Sequence, residues 1–106
     1  MKKNGSRTYI TRAQKILDIE IESLKHTRKR LGNDFAQTVS LALKCLENRG
    51  KIVVTGIGKN LHIASKISAT LASTGATSVV LNPSQALHGD LGVLDKGDIV
   101  LALPAL

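Results

Sequence analysis

Aromatic residues are almost missing from this chain of 106 residues: Tyr9 and Phe35 stand alone, and there is no tryptophan. Any core it builds must be aliphatic, drawn from the Ile, Leu, Val and Ala that dominate its 42% apolar content. Cysteine is reduced to Cys45, which excludes an internal disulfide and fits a reducing cytosol. No base or lysine cluster stands near Cys45 to make it reactive, so it reads as a packed neutral thiol. No apolar run approaches the roughly 18 residues that span a bilayer. Lys2 and Lys3 are not followed by the hydrophobic segment of a secretion signal. A cytoplasmic protein without membrane partners is expected.

Charge is present but uneven. The formal net charge is +7. Residues 1–50 hold eleven Lys or Arg against five Asp or Glu, and residues 51–106 hold four against three. The excess therefore sits in an N-terminal arm. Such an arm can bind nucleic acid, but it lacks interleaved aromatics on which bases stack. A solvated helix face is the plainer reading, and nucleic acid is not an expected partner.

The arm reads as helical from about residue 8 to 31, after a frayed tail over 1–7. Ile10, Leu17, Leu24 and Leu31 recur every seven residues, and Ala13, Ile16 and Ile21 widen the stripe. Gly32-Asn33 ends that helix, and Asp34 is placed to cap a second one reaching about Asn48. The second helix is expected to bury Phe35, Val39, Leu43 and Leu46, with Gly50 as its C-terminal stop. A β-α-β-loop-β order follows: strands near 51–55, 78–81 and 98–103, a helix over 60–74 closed by Gly75, and a short helical turn after Pro83. Asp95-Lys96-Gly97 reads as a turn. The middle helix is rich in small residues, Ala64, Ser65, Ser68, Ala69, Ala72 and Ser73, which let it lie close to a sheet. This order predicts an α/β three-layer domain with a parallel sheet. Right-handed crossovers place the first strand in the middle. The expected organisation is a helical segment over 1–50 and the sheet-forming part over 51–106.

The run Lys51-Ile-Val-Val-Thr-Gly-Ile-Gly-Lys-Asn60 joins a buried strand to a helix through two glycines. Ile52, Val53 and Val54 are β-branched, as in a parallel strand covered on both faces. The helix that follows aims free N–H groups and its positive dipole end at the turn, so the turn suits an anion. Lys59 adds a positive charge and three donors. Two familiar motifs do not fit. The dinucleotide fingerprint G-x-G-x-x-G has Leu61 at its third glycine and Leu81-Asn82 where an acidic ribose ligand belongs. The P-loop G-x-x-x-x-G-K-[ST] has Val53 at its first glycine and Asn60 at its hydroxyl. A phosphosugar turn remains, and spacing alone does not select it.

Three ordered motifs carry a resemblance. Thr55-Gly-Ile-Gly-Lys59, Ala69-Thr-Leu-Ala-Ser-Thr-Gly75 and Ala86-Leu-His-Gly-Asp-Leu-Gly92 follow one another as in arabinose-5-phosphate isomerases. Nearly the whole chain resembles the N-terminal portion of those enzymes, which carry a sugar isomerase (SIS) domain usually followed by CBS modules. The resemblance implies an incomplete flavodoxin-like SIS domain preceded by two helices. It also implies interconversion of D-arabinose 5-phosphate and D-ribulose 5-phosphate, a step toward the Kdo sugar of lipopolysaccharide, and association into homo-oligomers. No cofactor is implied. By the same resemblance Lys59 and His88 are catalytic positions, and Gly56, Gly58, Asn60 and Thr74 are substrate-binding positions.

The chain departs from the family pattern twice. The family continues G-I-G-K with Ser-Gly, whereas Asn60 and Leu61 stand here. After the third strand the family enters a Ser-x-Ser-Gly-Glu phosphate loop, whereas Pro104-Ala105-Leu106 stands here. A truncated chain with negligible isomerase activity of its own is therefore expected, and a non-catalytic phosphosugar-binding module is the alternative.

Each site residue also has a plainer reading. The plainer reading of Lys59 is a solvated lysine, but a cation is unfavourable at a helix start, which favours the ligand role. His88 reads as a loop histidine held by backbone bonds, and Asp90 as its orienting partner or a turn cap. Thr74, with Ser73, reads as a helix-end hydroxyl. His26 and His62 read as surface residues. No second ligand stands at a convincing spacing from His88, so no metal is expected.

Overall fold

The computed structural model describes the backbone of residues 3–86 and 90–105, and side chains over 5–86 and 92–105. Its elements are α1 (Lys3–Arg30), α2 (Asn33–Glu47), β1 (Ile52–Gly56), α3 (Lys59–Ser73), β2 (Ser78–Leu81), α4 (Pro83–Ala86), a 3₁₀ turn (Asp90–Val93) and β3 (Ile99–Leu103). The chain divides into two compact units, Met1–Ala36 and Gln37–Leu106.

The first unit is essentially α1. The heptad stripe forms the helix as expected, but the helix starts at Lys3 rather than after a frayed tail over 1–7. Once a helix is nucleated, each added residue costs little, and Lys3–Arg7 extend the long periodic segment behind them. Ile10, Leu17, Leu24 and Leu31 are all more than half exposed. Ile16 and Ile21 are exposed with them.

The second unit is the sheet and its helices. All three strands run parallel in the order β2-β1-β3, so the first strand is central, as the crossover rule requires. Ile52 lies opposite Ser78 on one side and Ile99 on the other. Both faces of β1 are covered: Ile52, Val53 and Val54 are buried. β3 alternates instead, with Val100 half exposed between the half-buried Ile99 and Leu101. The helix α3 closes on the sheet through small residues, and Ala64 and Ser68 are buried. One aliphatic cluster joins Ile52, Val54 and Ala64 to Ile67, Leu71, Leu101 and Leu103, with Ala42 and Leu46 of α2.

The burial of α2 differs from expectation. Its packed arc is Ala42, Cys45 and Leu46. Phe35, Val39 and Leu43 are exposed. The helical phase that turns Ala42 and Cys45 inward leaves Leu43 outside, and Phe35 and Val39 lie about two turns and one turn before the arc. The start of α2 also shifts. Ala36 N donates to Gly32 O at 3.2 Å, which puts Asp34 inside the first turn, where a carboxylate suits the dipole.

The α2–β1 junction reassigns Gly50. The left-handed residue that stops the helix is Arg49, at φ 62°. Gly50 is needed for space: a Cβ there would lie 2.7 Å from both Cys45 Sγ and Gly97 O. Two further turns match the sequence reading. Asn82 Oδ1 accepts from Ser84 N at 3.0 Å and starts α4 at Pro83. The Asp95–Gly97 turn closes by Asp98 N donating to Asp95 O at 3.1 Å, with Gly97 at φ 94°.

Candidate functional site

In a parallel α/β sheet, ligands bind beyond the carboxyl ends of the strands. Here that edge brings together the end of β1, the start of α3 and the residues after β3. β1 ends at Gly56, where a Cβ would lie 2.7 Å from Asn60 O and 2.8 Å from Asn60 C. Only glycine lets the strand pass this close to the first turn of α3. Gly58 adopts φ 63° and ψ −129°, a conformation that residues with a Cβ rarely reach. The chain can therefore reverse within two residues and point α3 back at the strand end. No side chain caps α3 at its start. Asn60 N and Leu61 N bond back to Ile57 O and Gly58 O at 3.2 and 3.0 Å, so the helix start presents the Gly58 and Lys59 amides and the positive end of its dipole.

Ile57, Gly58 and Lys59 are exposed. They line, with Asn60 and Ala105, a cleft of about 220 Å³. Among the described residues no carboxylate pairs with Lys59. Larger hollows of about 480 and 550 Å³ lie along α1, one over Arg7, Thr8, Thr11, Arg12 and Lys15, the other over Asp18, Ile19, Glu22, Ser23 and His26. Each is lined by one helix alone. They lack the convergence of several chain segments that marks a binding site.

The predicted site residues separate into three groups. Gly56, Gly58, Lys59 and Asn60 stand together at the turn. Asn60 is buried, and its Nδ2 donates to the carbonyl oxygen of Pro104. Thr74 is not brought to this turn. It closes the opposite end of α3, and a helix of 15 residues puts it roughly 20 Å away. Its hydroxyl donates to Leu71 O at 2.7 Å, the bond of a helix-end residue. His88 lies outside the described residues. No group of three metal-ligating side chains occurs among the described residues.

Sequence reading missed two polar clusters that hold the strands beneath the site. Thr55 Oγ1 donates to Leu81 O at 2.6 Å, tying β1 to β2 at their carboxyl ends. Ser78 Oγ donates to Ile52 O at 2.8 Å and receives Ser68 Oγ, also at 2.8 Å, so α3 is bonded to the β1–β2 pair. The signal was available: a serine opening an apolar strand, facing a helix rich in small residues. At the other end of the sheet, Lys51 Nζ lies 2.5 Å from Asp98 Oδ2 and 2.9 Å from Asp95 Oδ2. Lys51, hydrogen-bonded to Asp98, holds that carboxyl down to about 2, helped by the Asp95 and Lys51 backbone N–H groups. The same bonds, to Asp98 and then Asp95, push the lysine up from its ordinary 10.5. This cluster sits at the amino ends of β1 and β3, away from the ligand-facing edge, and its work is structural.

The geometry is that of an α/β domain built to present an uncapped helix start and a lysine at the end of its central strand. Residues 45–104 match the family model of the SIS domain, and the chain belongs to the SIS-domain family. It is 42% identical to arabinose 5-phosphate isomerase GutQ of Escherichia coli CFT073 over 96 residues, which are 91% of this chain and 29% of that protein. It is 41% identical to arabinose 5-phosphate isomerase KdsD of Pseudomonas aeruginosa over 95 residues, 90% of this chain and 28% of that one. The E. coli CFT073 protein c3406, solved in complex with arabinose 5-phosphate, superposes with a TM-score of 0.80 at 30% identity, covering 96% of this chain and 51% of that one. The chain thus spans under a third of the length of the curated relatives it matches. No helix among the described residues is long and apolar enough to cross a membrane.

Proposed function

We propose that this chain forms the phosphosugar-binding turn of an arabinose-5-phosphate isomerase, a cytoplasmic aldose–ketose isomerase acting on D-arabinose 5-phosphate and D-ribulose 5-phosphate. The observation that supports this best is the Gly56–Lys59 turn, which offers the Gly58 and Lys59 amides, and a lysine with no carboxylate partner among the described residues, to a cleft of about 220 Å³. It does so in a chain 42% identical to a named arabinose 5-phosphate isomerase.

The reaction moves a proton between C2 and C1 through an enediol. It needs a base, a group that polarises the carbonyl and a clamp for the phosphate. The turn supplies dianion recognition: Gly58 and Lys59 N–H groups with the α3 dipole, and the Lys59 ammonium over the same cleft. Lys59 is the catalytic position within the described residues. His88 is its counterpart by motif. Asn60 and the two glycines shape the wall, and Thr74 stays at the far end of α3. Homo-oligomers form through the exposed stripe of α1.

Titration of the purified chain with arabinose 5-phosphate, followed by amide NMR, tests the reading. Saturable shifts at Gly58 and Lys59 are expected. Lys59→Ala should weaken them roughly ten- to a hundredfold, the range for one charge-assisted hydrogen bond. Equal response to unphosphorylated arabinose, or none to either sugar, would sink it.

A further inference from the structure

We infer that Asn60 is a positioning residue that sets the width of the phosphosugar cleft, by holding the segment after β3 against the first turn of α3. This deepens the proposed function and rests on it for the identity of the ligand.

The β1–β3 ladder runs from Ile52↔Ile99 to Gly56↔Leu103 and stops there. Immediately beyond it the two chains diverge, one into the glycine turn and the other into Pro104 and Ala105. The cleft opens between them, with Ile57, Gly58, Lys59 and Asn60 on one wall and Ala105 on the other. Past the last ladder pair, the bond from Asn60 Nδ2 to Pro104 O crosses from one wall to the other. Asn60 is 6% exposed while Pro104 is exposed, so the bond is part-buried and its donor end is the sheltered one.

The asparagine is also fixed from behind. Gly56 packs directly on the Asn60 backbone, at distances that leave no room for a Cβ. The side chain therefore cannot follow Pro104 if the outer wall moves. A carboxamide on a rigid helix start, gripping a carbonyl on a less constrained segment, acts as a spacer of fixed length. It keeps Ala105 at a set distance from the Lys59 ammonium and the Gly58 amide. Leu keeps the branched shape but removes the donor. Ala removes the carboxamide altogether. Either change frees the outer wall while the ladder up to Leu103 remains.

The test measures the gap and the ligand separately. Spin labels are placed at Ile57→Cys and Ala105→Cys, with Cys45→Ser to remove the native thiol, and their distance distribution is read by pulsed EPR. Arabinose 5-phosphate binding is read by NMR in the unlabelled chain. Asn60→Leu and Asn60→Ala are each expected to broaden and lengthen the distance distribution. Each should weaken arabinose 5-phosphate about tenfold, as for one hydrogen bond, while a thermal melt still shows a cooperative transition. If Asn60→Leu does not fold, Asn60→Ala decides the point. An unchanged distribution in a folded variant overturns the inference, whatever the ligand does. If the parent chain does not bind arabinose 5-phosphate, the proposed function fails on its own. A widened gap in the variants would then still establish Asn60 as the spacer of the two walls.

Discussion

Both carboxylate oxygens of Asp98 are held by Lys51: Oδ1 accepts the Lys51 backbone N–H at 3.0 Å and Oδ2 the Lys51 ammonium at 2.5 Å. One residue at the start of β1 thereby fixes the residue that leads into β3. The Asp98 side chain is 5% exposed, and Asp95 N adds a further bond to Oδ2 at 2.8 Å. The two strands are thus clamped at their amino ends before the parallel ladder begins.

This clamp makes stability depend on acid. Asp98 is depressed from 3.8 to about 2 in the folded chain. The unfolded chain takes up the proton first, so stability falls as pH drops. The contribution is complete above about pH 4 and disappears as pH passes through about 2. Lys51, raised above 10.5, contributes fully at neutral pH and loses its share only as pH climbs through its folded value. Melting temperatures of the parent and Asp98→Asn are expected to differ most above about pH 5 and to converge toward about pH 2. Curves that stay parallel across that range would show that the clamp carries no linkage.

The α2–β1 junction gives two substitutions of opposite sign. Gly50→Ala drives a methyl to 2.7 Å from Cys45 Sγ and Gly97 O. It should cost about 1–3 kcal/mol, as overpacking does. Arg49→Gly relieves a left-handed residue at φ 62°. That conformation costs a residue with a Cβ about 1–2 kcal/mol, and glycine returns part of the gain as chain entropy. A net stabilisation of about 0.5–1 kcal/mol is expected. Urea denaturation of both variants checks this, and the reading fails if Arg49→Gly is the more damaging change.

The sequence made the helices, the parallel order and the glycine turn legible because each leaves a local pattern: a seven-residue repeat, a β-branched run, glycines between strand and helix. Burial on α2 was less legible. Phe35, Val39 and Leu43 share the apolar character of Leu46, and only the placement of the sheet decides which of them it covers. The Asn60–Pro104 and Lys51–Asp98 pairs lie 44 and 47 residues apart in sequence, so no local window contains them. Thr74 stands apart from the glycine turn for a related reason. Its motif marks the end of α3, and the helix length, not the motif, carries it away from the turn.

The serine pair should behave as a unit. Ser68 donates to Ser78, which donates to Ile52 O. Ser78→Ala leaves the buried Ser68 hydroxyl and the Ile52 carbonyl without these partners and should cost about 1–3 kcal/mol. Replacing both serines removes the stranded hydroxyl, so the double variant should lose less than the sum of the singles. A double-mutant cycle in urea measures the coupling, expected at about 0.5 kcal/mol or more. Strict additivity would mean that the two hydroxyls act independently.

The stripe of α1 offers the last prediction. Ile10, Leu17 and Leu24 are 59%, 56% and 69% exposed, and they recur along one face of a 28-residue helix. Scattered exposed leucines are ordinary, but a continuous row offers a surface on which a second copy of the chain can pack. The purified chain is expected to sediment above its 11.3 kDa monomer mass with a concentration-dependent weight. Leu17→Glu with Leu24→Glu should return it to monomer. Dilution should also lower its helical circular dichroism, because an unpartnered helix is marginal in water. β3 provides a rival surface, since among the described residues it pairs only with β1 and it carries Val100 half exposed. Val100→Lys separates the two. If it dissolves the assembly and the α1 substitutions do not, association runs through the sheet edge and the stripe has no part in it.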